Sequence, residues 1–214
     1  MNLQKTTFKA GSKILLKDFD TRATSGATKE DAQKSCDENS AAIGDLAYRL
    51  YAENQRSLLI SLQGMDTAGK DGTIRHIMRS VDAQATEVHP FKKPSAMELD
   101  HDFLWRIHQK VPARGNIGIF NRSHYEDVLV VRVHNLVPRK EWAARCARIN
   151  DFEQHLADSG ITLLKFFLHI SKEEQRERLQ ARLDTPSKRW KFSKADLSER
   201  QYWGDYQKAY TDAL

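Results

Sequence analysis

Gly64, Gly69 and Lys70 stand at the spacing G-x-x-x-x-G-K in the run Gly64-Met65-Asp66-Thr67-Ala68-Gly69-Lys70. Glycines let a short loop turn its main-chain N–H groups inward, a following helix offers its positive end, and a lysine ammonium adds a mobile cation; together these cradle phosphate. Gly64, Met65, Thr67, Ala68, Gly69, Asp71, Gly72 and Thr73 are therefore expected around phosphate oxygens, with Lys70 on the terminal phosphoryl group. Most loops of this kind continue with a Ser or Thr whose hydroxyl binds magnesium, but here the next residue is Asp71. Asp66 then becomes the candidate metal residue: an ionised carboxylate is a hard ligand that holds magnesium directly or through water, or orients the attacking group.

A second polar run, Asn121-Arg122-Ser123-His124-Tyr125-Glu126-Asp127, follows the strand candidate Asn116 to Phe120. Loops after buried strands carry ligand contacts in open α/β sheets. Arg122 suits a bidentate grip on phosphate. Asn121, Tyr125, Glu126 and Asp127 are candidates for nucleotide contact, although Glu126 and Asp127 equally suit the acidic start of a helix. A third run holds Arg176, Arg178, Arg182, Lys188, Arg189 and Lys191. Arg178 and Arg182, with Lys188 and Lys191, read as a lid that neutralises charge over transferring phosphates; Arg176 equally suits a solvated face shared with Glu173, Glu174 and Glu177. Lys92 and Lys93, after Val88 to Pro90, can line a polyanion channel or an ordinary surface loop. No H-E-x-x-H pattern occurs among the eight histidines, so zinc is not expected. Ser193-Lys194-Ala195-Asp196 superficially matches a base-reading N-K-x-D element, yet no strand precedes it.

These residues need elements to hold them. Helical spacing begins near Thr28 and runs to Asn54, with Gly44 a weak point. Leu58 to Leu62 suits a buried strand, Lys70 to about Ser80 a helix, and Ala85 to His89 a second strand. Ser95 and Glu98 form a capping pattern that opens a helix through Phe103, Leu104 and Ile107, ended by Pro112 and Gly115. Asn116 to Phe120 is the third strand. Arg139 to Ser159 is an amphipathic helix with Trp142, Cys146, Ile149, Phe152 and Leu156 on one stripe. Ile161 to Ile170 is the strongest strand, and Ser171 with Glu174 opens the arginine-rich helix. Strands alternating with helices predict a mostly parallel sheet with helices on both faces and ligands at the strands' carboxyl ends.

The 214 residues, 40% of them hydrophobic, suffice for one core, read as an arm over residues 1–27 and a kinase domain over 28–214. Lys165 and Arg132 interrupt the longest apolar stretches, and residues 1–10 lack an apolar signal core. Cys36 and Cys146 make no paired motif, so a reducing cytoplasm is expected. The net charge of +5 favours an anionic partner without naming it. Three readings remain at this level besides a polyanion-using kinase: an ATP-dependent nucleoside or metabolite kinase, a basic nucleic-acid-binding module, and a nucleotide-dependent switch.

Taken together, Q-G-M-D-T-A-G-K-D-G-T at Gln63 to Thr73, V-H-P-F-K-K-P-S at Val88 to Ser95, F-N-R-S-H-Y-E-D at Phe120 to Asp127 and R-L-D-T-P-S-K-R-W-K-F-S at Arg182 to Ser193 resemble the polyphosphate kinase 2 family over roughly Phe19 to Leu214. Asn121 and the H-Y-E-D continuation resemble the branch that phosphorylates both nucleoside mono- and diphosphates. The resemblance implies an α/β P-loop NTPase fold of thymidylate-kinase-like type, a parallel sheet sandwiched by helices with a lid. It also implies dependence on Mg²⁺, or Mn²⁺ in its place, and reversible transfer between inorganic polyphosphate and AMP or ADP. Asp66 and Lys70 match the family's essential loop pair, Arg122 its phosphate-gripping arginine, and Arg178 or Arg182 its lid arginine. Adenine nucleotides, or guanine ones, are the expected partners of polyphosphate, with no nucleic acid or membrane and with a homo-oligomeric assembly. The family pattern continues past Leu214 with another aromatic-rich segment, so a shortened C-terminus is expected.

Overall fold

The computed structural model describes residues 6–9, 11–24 and 26–214. Of the expected arm, residues 1–5, 10 and 25 lie outside that set. Leu16, in a 3-10 turn at Leu16–Asp18, is buried against Met65, Leu129, Val133, Ala209 and Tyr210. Helix α1 (Lys29–Glu53) starts where the sequence predicts: Thr28 Oγ1 accepts from the Asp31 N–H while the Asp31 carboxylate accepts from the Thr28 N–H. Gly44 is more than a weak point, since a Cβ there would lie 2.6 Å from the Ser80 carbonyl oxygen.

The elements then follow as β1 (Ser57–Gly64), α2 (Lys70–Ile77), β2 (Thr86–Pro90), α3 (Ala96–Leu99), α4 (Trp105–His108), β3 (Ile117–Asn121), α5 (Val130–Val133), α6 (Arg139–Asp158), β4 (Ile161–Leu168), α7 (Lys172–Asp184), α8 (Lys194–Glu199) and α9 (Trp203–Ala213). All strands are parallel, in the order β2-β3-β1-β4. The chain leaves β1 for one edge and returns across it to β4, which opens a crevice at the carboxyl end of β1.

Alternation along the strands divides the core. Ile60, Leu62 and Ile119 face α1 and α2, packing with Ala47 and Ile74, while Leu59 and Phe120 face α4 and α6, packing with Ile107, Phe152 and Leu156. Helices therefore cover both faces, as expected from the sequence. A third cluster, around Met65, Leu129 and Tyr210, seats α5 and α9 beside the crevice.

Two sequence expectations change, and the strongest expected strand takes an edge position that the sequence did not specify. The single helix expected from Ser95 is two one-turn helices, because the Asp102 carboxylate accepts from the Leu104 N–H and starts a new turn in place of continuing α3. In α6 only Ile149, Phe152 and Leu156 of the expected stripe are buried; Cys146 is exposed, and Trp142 packs under the Arg132 guanidinium at 4.7 Å instead. β4, the most apolar strand, lies at the sheet edge, where Ile161 and Leu163 pack inward but Leu164 and Phe166 are 42% and 48% exposed.

Candidate active site

The glycine loop joins β1 to α2 at the crevice. Gly64 has φ of 155°, and a Cβ on it would meet Ala68 Cβ and the Leu168 carbonyl oxygen, both at 2.9 Å, so no larger residue fits. Gly69, at φ 108°, caps α2, and Thr67 takes φ 63°, a conformation uncommon outside glycine. Lys70 is buried, and its Nζ donates to the carbonyls of Gly64 at 2.7 Å and Met65 at 3.2 Å. These partners are neutral, so an anionic phosphate oxygen competes well for the same ammonium. Burial, reinforced by nearby Arg122, lowers the Lys70 pKa to about 8 against the pull of Glu126, Asp66 and Asp71.

In front of the loop lies a cleft of about 720 Å³. Its lining gathers Asp66, Thr67, Ala68, Gly69, Lys70, Asp71 and Gly72 with Lys92, Asn121, Arg122, Arg178, Arg182, Lys188 and Lys191, as the sequence proposed, and adds Arg75, Phe91 and Trp190. Lys93 is exposed and does not line it. The Thr73 hydroxyl donates back to the Gly69 carbonyl at 3.3 Å, a capping contact within α2. Asp71 accepts from Asn121 Nδ2 at 2.9 Å and Lys191 Nζ at 3.4 Å. The Asn121 bond above all holds the Asp71 carboxyl below its usual range, so it stays ionised beside Lys70. The segment read as a lid crosses the cleft as a 3-10 turn, Pro186–Lys191, with Trp190 79% exposed on the rim.

Helix α7 forms the opposite wall. Arg178 Nη1 donates to the carbonyls of Thr67 and Ala68, both at 3.0 Å, and its Nε donates to Glu174 at 2.7 Å. Its guanidinium thus holds the loop's carbonyls from the α7 wall of the cleft. Arg182 lies between two carboxylates, Asp66 at 3.4 Å and Asp196 at 3.3 Å. Asp196, dismissed with the base-reading pattern, is therefore part of the site's electrostatics, and burial raises its pKa. Gln175 was also missed; it is buried, and its Nε2 donates to the Asp66 carbonyl at 3.1 Å. The available signal was polar residues at 175, 178 and 182, the spacing of one helix face where an amphipathic helix would place apolar residues.

Behind the loop is a second cavity of about 240 Å³, lined by Gly64, Met65, Asp66, Arg122, Glu126, His134, Gln175, Glu199 and Tyr206 among others. Arg122 reaches both cavities from a left-handed backbone at φ 65°. Burial pushes the Glu126 carboxyl up, against the pull of Arg122 and Lys70. Tyr125 and Asp127 line neither space. The Tyr125 hydroxyl donates to Glu153 at 2.9 Å and accepts from Lys165 at 3.0 Å; Asp127 pairs with Arg145 at 3.0 Å. Their side chains are thus engaged by the scaffold; the sequence offered both as candidates for nucleotide contact, with Asp127 equally suited to the acidic start of a helix, and Asp127 lies in a 3-10 turn, His124–Asp127.

No three acidic, histidine or cysteine side chains gather into a metal set among the described residues. Asp66 and Asp71 are the carboxylates on the cleft. One or two carboxylates completed by substrate phosphates suit Mg²⁺, which keeps few protein ligands.

The sequence model of polyphosphate kinase 2 matches residues 26–214. An AMP/ADP-polyphosphate phosphotransferase of Meiothermus ruber is 49% identical over 99% of this chain and 80% of its own length. An ADP-polyphosphate phosphotransferase of Rhodopseudomonas palustris is 51% identical over 80% of this chain, which spans 64% of that relative. The crystal structure of polyphosphate kinase 2 from Arthrobacter aurescens superposes with a TM-score of 0.92 at 45% identity, covering 95% of this chain and 74% of that one.

Proposed function

Because the chain belongs to the polyphosphate kinase 2 family, we propose that it transfers phosphoryl groups reversibly between inorganic polyphosphate and AMP or ADP, with Mg²⁺. One observation carries the reading: around the glycine loop the cleft is lined by Lys70, Arg75, Lys92, Arg122, Arg178, Arg182, Lys188 and Lys191, eight cations against the two carboxylates of Asp66 and Asp71. The cations come from the loop, from α2, from the segment after β2, from the end of β3, from α7 and from the lid segment, so several elements line the cleft with positive charge. An anion longer than a nucleotide triphosphate uses that spread of charge; a neutral alcohol acceptor would not.

Phosphoryl transfer demands positioning and charge neutralisation more than a covalent side chain. Lys70 exchanges its loop carbonyls for a phosphate oxygen, Arg122 grips from the β3 end, and Arg182 leaves its carboxylates to meet charge under the lid. Asp66, with Asp71 near it, would hold the metal, which when bound offsets charge on the phosphoryl oxygens. Trp190 presents an exposed ring at the rim against which a base can stack.

The test is incubation with polyphosphate, Mg²⁺ and AMP or ADP, comparing wild type with Lys70→Ala and Asp66→Asn. ADP and ATP should form with wild type, and each variant should be slower by about 100- to 1000-fold. Wild-type turnover with ATP and an alcohol but none with polyphosphate would remove the proposal, as would equal rates in all three proteins.

A further inference from the structure

We infer that Gln175 is a positioning residue for the phosphate cradle, acting through the Asp66 peptide and braced by Arg200; the inference rests on the phosphate-binding reading of the cleft. Gln175 is 3% exposed, on α7. Its Oε1 accepts from Arg200 Nη1 at 2.9 Å, and its Nε2 donates to the Asp66 carbonyl at 3.1 Å. Arginine only donates, so it claims the amide oxygen and leaves the NH₂ group for the loop. Arg200 Nη1 also donates to the Lys172 carbonyl at 3.1 Å, which anchors it to the start of α7.

Three residues further along the same face, Arg178 takes the carbonyls of Thr67 and Ala68. Three successive loop carbonyls, at 66, 67 and 68, are thus held on the α7 side. A trans peptide is planar, with its N–H opposed to its C=O. Holding the carbonyls of Asp66 and Ala68 toward α7 therefore turns the N–H groups of Thr67 and Gly69 away from it. The Ala68 N–H is spent within the loop, on Met65 at 3.0 Å. An anion nest requires converging N–H groups and carbonyls facing out, and Gln175 supplies the contact that orients its first peptide. The brace comes from the 3-10 turn Arg200–Tyr202, beyond the lid segment, so the cradle's shape depends on the chain that follows the lid.

The test is calorimetric titration of the full chain with tripolyphosphate, without nucleotide, for wild type, Gln175→Met, Arg200→Met and the double variant, alongside thermal unfolding without anion. Methionine keeps the bulk of glutamine and removes the donor. Gln175→Met should bind about tenfold more weakly. Arg200→Met, at a half-buried position outside α7, should lose a similar factor, and the double variant should lose no more than the larger single loss, because both act through one contact. Anion-free Tm should stay within about 4 °C of wild type. Gln175→Met binding within twofold of wild type overturns the inference, as does a double variant whose losses multiply, or a fall in Tm with unchanged affinity in the folded protein. If wild type itself fails to bind tripolyphosphate, the parent reading falls and takes this one with it.

Discussion

Lys70 is held among carbonyl groups and near Arg122, and this burial sets its pKa at about 8. Phosphate binding needs the ammonium, so polyphosphate affinity should fall as pH rises through about 8; titrations from pH 7 to 9.5 check this, and Lys70→Met should flatten the profile. The same shift has a consequence for stability. The folded-state pKa lies below the ordinary lysine value of 10.5, so between about 8 and 10.5 the unfolded chain binds more protons than the folded one. This residue's contribution therefore makes stability rise with pH across that window, and denaturant midpoints of wild type against Lys70→Met should diverge in that direction. Asp127 poses a different case. Its carboxylate pairs with Arg145 at 3.0 Å, with only 12% and 16% of the two side chains exposed. Asp127→Ala removes one of the two carboxylates on Arg145 and leaves it with Glu141 at 2.6 Å, so it should cost roughly 2 kcal/mol. Denaturation should record that loss, while the nucleotide KM of the folded variant stays near wild type.

Helix α7 combines two tasks. Its N-terminal half holds loop carbonyls through Gln175 and Arg178, and its last turn carries Arg182 to Asp66. Its apolar anchoring is sparse, with Leu179 its buried hydrophobic residue, so polar contacts to the loop do much of the docking. Helix α1 meets the opposite constraint. By propensity Gly44→Ala should strengthen the helix by about 1 kcal/mol. The added Cβ would instead fall 2.6 Å from the Ser80 carbonyl oxygen, which is backbone and cannot swing aside. The substitution should therefore destabilise the protein by about 1–3 kcal/mol, seen as a lower urea midpoint; a gain would mean that α1 shifts freely against the segment after α2.

At the scale of the molecule, the formal charge of +5 understates what a phosphate chain meets, because eight cations converge on one cleft. Screening acts over about 8 Å at physiological ionic strength. Raising KCl from about 50 to 500 mM should raise the KM for long polyphosphate more than that for ADP, since more of the long ligand's contacts lie out on the solvent-exposed lid and rim. Much of this protein was legible in the chain itself: the loop Gly64 to Lys70, the start of α1 near Thr28, four strands interleaved with helices, and most cations of the cleft. Each is a local matter, decided by spacing, turn chemistry or a period of two or 3.6 residues. Other features depended on which distant segments meet. Tyr125 and Asp127 sit in a run that looks catalytic, yet Glu153, Lys165 and Arg145 claim their side chains. Gln175 and Asp196 look ordinary until Asp66 lies beside them. β4 reads as the strongest strand and lies at an edge, because sheet order is set by how crossovers pack and not by the hydrophobicity of any one strand. A side chain's type and spacing record what chemistry it can do; only the packing of remote elements decides which partner spends it.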